Sequence, residues 1–201
     1  MSAMRWLLLL CLFGSACASS RLFAPRENLN GTGPQGHPAA VYRLDDSEIG
    51  EVRLWSNGAR RVELPEGAET RLKVGFELEN NSKSPMRLDT QAMRVHAVVG
   101  SDSAAEELSP ATVEGPVEAA PDRMARVYVE FQPATEVGPR DIRSFEVHWS
   151  VLVDGRRFPQ VTPFTIFVPP PMYWDDDPYW GWGFRAGIGI GYAPYPYPYC
   201  R

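Results

Sequence analysis

Apolar and polar residues alternate strictly in several separate stretches of this 201-residue chain, and that pattern limits its fold more than any other feature. Leu72, Val74, Phe76 and Leu78 alternate with Lys73, Gly75, Glu77 and Glu79. Val127, Val129 and Phe131 do the same against Arg126, Tyr128 and Glu130, as do Phe145, Val147, Trp149, Val151 and Val153 against Glu146, His148 and Ser150. Side chains two residues apart share one face of a strand, so the period predicts antiparallel strands with an apolar face on a core and a wet face outside.

Strand signals fall at 41–44, 51–55, 60–64, 71–80, 86–99, 126–131, 142–153 and 158–168. Asn57-Gly58 and Asp154-Gly155 suit tight hairpin turns because both residue types tolerate positive φ. Asn80 to Ser84 reads as a turn, and Ser103-Ala104-Ala105-Glu106 has the capping-box pattern that could start one short helix. Seven or eight short strands with almost no helical period predict one all-β domain over 41–168, an antiparallel two-sheet sandwich with a small barrel as the alternative.

Both flanks have a different composition. Residues 17–40 are rich in Gly, Pro, Asn and Ser without a period and read as a tether or a loosely docked arm, long enough to hold the domain off a surface. After Val168 the chain becomes PPPMYWDDDPYWGWGFRAGIGIGYAPYPYPYCR. Pro169 to Pro171 close the last strand, and residues 169–201 form a low-complexity aromatic tail expected to be flexible, its Pro-Tyr repeats favouring polyproline II.

The first residues place Arg5 before an apolar run from Trp6 to Phe13, the layout of a secretory signal peptide over residues 1–16. The run is far shorter than the ~20 residues that cross a bilayer. Gly14-Ser15-Ala16-Cys17 resembles the lipobox of bacterial lipoproteins, with Gly14 in place of the usual Leu. That resemblance implies a lipid on Cys17, a membrane as partner and a place in the cell envelope. Ala18 after the cysteine resembles lipoproteins sent to the outer membrane. Ordinary cleavage after Ala18 also fits the small-x-small pattern and would release a soluble periplasmic or secreted protein.

Charge and chemistry exclude several function classes. The net charge is −5, and losing Arg5 makes the mature chain more negative still. Its Lys and Arg are scattered singly, so a nucleic-acid partner is not expected. With Cys11 in the signal and Cys17 assigned to lipid, Cys200 stands alone and no internal disulfide framework is possible. His37, His96 and His148 lie far apart in sequence, with no zinc-site spacing. There is no Gly-x-Ser-x-Gly elbow, His148 reads as an exposed strand residue, and Asp175 to Asp177 read as a solvated spacer. Gly187 to Gly191 lack the βαβ setting of a dinucleotide fingerprint. No cofactor, metal or catalytic residue is therefore expected.

The runs VGFELENNSKSPMRLD and PDRMARVYVEFQP resemble the immunoglobulin-like domains of bacterial envelope proteins, without the disulfide of antibody-type domains. The resemblance implies an immunoglobulin-like β-sandwich and no particular activity. Together these readings predict a lipid-anchored, non-catalytic interaction or scaffold module that binds another envelope protein. A second expectation is glycan or peptidoglycan binding, with Trp174, Trp180 and Trp182 stacking on sugar rings. A metal-dependent enzyme using Asp175 to Asp177 is the remote third.

Overall fold

The computed structural model describes residues 21–65, 67–100, 104–134 and 136–168. The proposed signal, Cys17 and the whole aromatic tail lie outside the described residues. Twelve strands follow one another: β1 (Phe23–Pro25), β2 (Gly31–Thr32), β3 (Pro38–Leu44), β4 (Gly50–Leu64), β5 (Gly67–Asn80), β6 (Met86–Leu88), β7 (Arg94–Val99), β8 (Ala104–Glu114), β9 (Glu118–Ala119), β10 (Arg123–Gln132), β11 (Ile142–Val153) and β12 (Arg156–Ile166). Every pairing is antiparallel, and the described residues include no α-helix, only two short 3-10 turns at Pro34–Gly36 and Asp45–Ser47. The all-β class expected from the alternation is what forms.

The strand order is β1-β12-β11-β7-β8-β10-β5-β4-β3-β2, with the β6–β9 pair attached to β11. Strand β8 makes this a sandwich-like closure. Its residues 104–108 pair with β7, and residues 109–114 pair with β10, so one strand passes from one layer into the other. The periodic residues then meet face to face. Phe76 of β5 meets Trp149 of β11 edge-on at 5.7 Å, Tyr42 of β3 meets the same indole at 5.2 Å, and Phe145 stacks on Phe164 at 4.7 Å. Each such side chain contributes about 1.5–3 kcal/mol by leaving water. The polar tips are satisfied inside: Trp149 Nε1 donates to Thr162 Oγ1 at 2.9 Å, and the Tyr42 hydroxyl lies 2.8 Å from the same oxygen.

The side opposite β8 is laced by residues from a segment read from sequence as a tether or a loosely docked arm, and for residues 21–40 the tether is the reading that needs correction. Arg21, the first described residue, is already tied into the fold. The Arg21 N–H donates to Ala59 O in one layer, the Phe167 N–H donates to Leu22 O in the other, and β1 pairs with β12. Phe23, Ala24, His37, Ala39 and Ala40 are all buried. A chain crossing from edge to edge contacts each layer at one or two points, so it shows no period although it is integral to the core.

Three further expectations are corrected. Asn57-Gly58 makes no hairpin. Strand β4 runs unbroken alongside β5 until Leu64 opposes Gly67, and the positive φ of Gly58 (+89°) serves a bulge between Ser56 and Gly58 instead. The capping-box segment is not helical: residues 104–114 are β8, because the layer crossing supplies a partner for both halves of the strand. Residues 86–99 form two strands, β6 and β7, both paired with β11. The turn at Asp154-Gly155 forms as read, with φ of +49° and +73° between the paired Val153 and Arg156.

Candidate functional site

The residues singled out for function, Cys17 and the tail residues Trp174, Trp180 and Trp182, lie outside the described residues, as do Asp175 to Asp177 and Cys200. Strand β1 opposes β12 with Phe23 across from Ile166, so Arg21 and Val168 emerge side by side. Arg21 makes an antiparallel bridge with Ala59 of β4.

The β4–β5 hairpin projects past the sheet. The pairing of β5 with β10 ends at Leu72, whereas its pairing with β4 continues to Gly67. Between the projection and residues 133–138 lies an open cleft of about 360 Å³, with Arg61, Glu69, Thr70, Gln132 and Val137 on its walls. Thr70 Oγ1 donates to Val137 O, and Gln132 Nε2 donates to Glu69 Oε2 at 2.6 Å, so the polar wall groups are engaged with one another. Arg71, paired with Glu69, keeps one buried guanidinium nitrogen, Nη1, without a partner.

The outer face of β4, β5 and β10, read from sequence as wet, is covered at Gly75 and Glu77 and stays partly exposed at Arg126 and Glu79. A Cβ on Gly75 would sit 2.3 Å from the Trp55 indole, and one on Gly33 would sit 2.8 Å from it, so the indole is clamped between the sheet and the arm and is fully buried. Beside it runs a cross-strand charge ladder. Glu77, almost fully buried, accepts from Arg53 Nη1 at 2.9 Å and from Arg126 Nη2 at 2.6 Å. Lys73 contacts Glu114 at 2.6 Å and Glu130 at 3.6 Å, and Arg60 reaches Glu130 at 3.0 Å. Burial alone would lower the Arg53 pKa, but Glu51, Glu77 and Glu79 together raise it above its ordinary value. The ladder holds strands in register, with its carboxylates already committed to cations.

The sequence reading missed one cluster. His96 and His148 are brought together by the β7–β11 pairing, their rings 4.8 Å apart, with Glu146 Oε2 3.7 Å from His148 Nε2. Both histidines occupy the outward parity of their strands, and only the pairing partner, which sequence does not supply, joins them. Among the described residues no group of three His, Cys, Asp or Glu is placed to hold a metal ion.

The β12 margin is covered by β1 over part of its length. Pro163 O accepts from the Arg26 N–H at 2.9 Å, so this position of β12 faces away from β11, and Pro159 shares its parity. Pro159 lies beyond the stretch covered by the arm, so it removes a donor from the open part of that edge and blunts it against strand addition. At the opposite end of the strands the loops form a connected surface. The Asn81 N–H donates to Ile49 O at 3.0 Å, and Arg156 Nη1 reaches Asp45 Oδ2 at 2.8 Å, tying the two layers together.

No protein-family model matches this chain, and no curated protein matches it. Among solved structures, the X-ray structure of a Northeast Structural Genomics Consortium target, SoR45, aligns with a TM-score of 0.37 and 15% identity. That alignment covers 65% of this chain and 93% of the other, a likeness too low to carry an argument about fold or function.

Proposed function

We propose that this chain is a cell-envelope lipoprotein, anchored through a lipid on Cys17, whose immunoglobulin-like sandwich is a non-catalytic module that engages another envelope protein. The observation that carries the reading is the junction of two signals. Gly14-Ser15-Ala16-Cys17 closes the apolar run, and Arg21, which is bonded into the sheet, follows the cysteine by only four positions. Acyl chains bury about 0.8 kcal/mol per CH₂, so a multiply acylated terminus holds a domain of this size without a spanning segment. The immunoglobulin-like assignment is supported by two antiparallel layers around a buried tryptophan, Trp149.

The blunted β12 edge favours the loop surface around Ile49, Asn81 and Asp154 as the partner-binding face. Mass spectrometry of the mature N-terminus tests the anchor. The reading expects a chain starting at Cys17 with the mass of acyl groups added, and Cys17→Ser is expected to shift the protein to the soluble fraction. An unmodified chain starting at Ser19 would contradict it.

A further inference from the structure

His96 and His148 stand on the outer face of two interior strands. Strand β7 is held between β8 and β11, and β11 between β7 and β12, so the backbone under both rings is fixed from both sides. The ring centres are 4.8 Å apart. Two imidazoles that share one metal ion at ~2.0–2.1 Å hold their ring centres about 4.5–5.2 Å apart when the angle at the metal is roughly 90–110°. The spacing the strands impose is therefore the one a shared ion requires, and a turn about χ2 aims one nitrogen of each ring at a common point.

The surrounding charge suits a cation. Directly across from His96 stand Glu146 on β11 and Glu107 on β8, one on each side. Glu146 Oε2 is 3.7 Å from His148 Nε2. On the β12 side, the residues across from His148 and Glu146 are Val161 and Pro163, which carry no charge. Arg94, opposite His148, turns its guanidinium elsewhere: Nε reaches Glu107 Oε1 at 3.2 Å, and Nη1 donates to Gln91 O at 2.9 Å and to Met93 O at 2.6 Å. Two carboxylates against one guanidinium leave the neighbourhood negative.

We propose that His96 and His148 bind a divalent transition-metal ion on the outer face of this layer, copper(II) ahead of zinc(II), with water in the remaining positions and Glu146 balancing the charge. Imidazole nitrogen suits copper, nickel and zinc, whereas calcium and magnesium prefer oxygen. His148 also borders an open groove of about 350 Å³, which gives those waters room. With two protein ligands the site is open, which fits reversible capture of an ion and not a closed structural centre.

The probe is residues 17–201 without an affinity tag, carrying Cys17→Ser and Cys200→Ser so that no thiol competes for the ion. Calorimetric titration is expected to give one histidine-dependent site per chain, with copper(II) bound on the order of tenfold more tightly than zinc(II) and excess calcium unable to displace either. His96→Gln and His148→Gln should each weaken copper binding on the order of tenfold or more, with the circular dichroism spectrum unchanged. Copper(II) is paramagnetic, so in NMR spectra of the unsubstituted strands it should broaden the ring signals of His96 and His148 first and leave those of His37, buried in the arm, sharp. Unchanged copper affinity in the double variant, or broadening centred on other residues, would overturn the site. Neither result depends on the state of Cys17.

Discussion

Phe23 in the N-terminal arm and Phe76 in β5 are equally sealed from water, but different neighbours seal them. Phe76 has β4 on one side and β10 on the other, faces Trp149 across the core, and its strand repeats the same environment every second residue. Phe23 sits in a three-residue strand with β12 on one side only, meets Phe145 edge-on at 5.0 Å, and is followed within a few positions by turns and bends. Central strands are buried by packing, whereas the arm is buried because it closes a margin that the layers leave open. A residue in the second role can be as important to stability as one in the first while lacking any periodic signature.

Removing the arm attacks that equivalence most directly. A chain starting at Pro38 loses Phe23 and Ala24 from the core, exposes the Trp55 indole and frees the margins of β3 and β12. The expected loss is comparable with the whole stability of a domain this size, about 5–15 kcal/mol, and should abolish the cooperative melt seen by circular dichroism. A truncated chain melting at the temperature of the longer one would return the arm to the status of a tether. Phe76→Ala should cost about 3–5 kcal/mol in urea titration through lost burial and a residual cavity.

The two glycines that clamp Trp55 sharpen the comparison. Gly75→Ala pushes a methyl into the indole from the middle of a sheet and should cost about 1–3 kcal/mol, because strands on both sides resist movement. Gly33→Ala pushes from the arm, which can lift, so its cost should be smaller and accompanied by a red shift of the Trp55 emission. The smallest effect concerns His37, whose burial lowers its pKa from the ordinary 6.5. The neutral ring is favoured in the folded state, so its contribution is complete above pH 6.5 and is lost as the pH falls toward the depressed folded value. Melting temperature should therefore decline over that acid range, and His37→Gln should remove that part of the decline.

The pattern of what could be read from sequence follows the same division. Leu72 to Leu78, Val127 to Phe131 and Phe145 to Val153 were legible because a central strand repeats its surroundings. Phe23 was not, since three residues hold no period and Gly-, Pro- and Asn-rich composition describes a layer-crossing arm as well as a free tether. Asn57-Gly58 was misread because a bulge and a hairpin turn both use positive φ. The burial of Gly75 and Glu77 was invisible because their cover comes from Trp55, Arg53 and Arg126 on other strands. For the candidate site, Cys17 and the tail tryptophans lie outside the described residues, and the side-by-side placement of Arg21 and Val168 depends on the β1–β12 pairing, which no local pattern reveals.

Native-state hydrogen exchange on residues 17–201 tests most directly whether the arm belongs to the fold. The Arg26 N–H donates to Pro163 O, the Gly33 N–H to His37 O at 2.8 Å and the Phe167 N–H to Leu22 O at 3.0 Å. The account predicts protection of these three amides by at least on the order of a thousandfold, approaching that of β5. Exchange of Arg26 and Gly33 at the rate of an unstructured chain, while β5 stays protected, would contradict it.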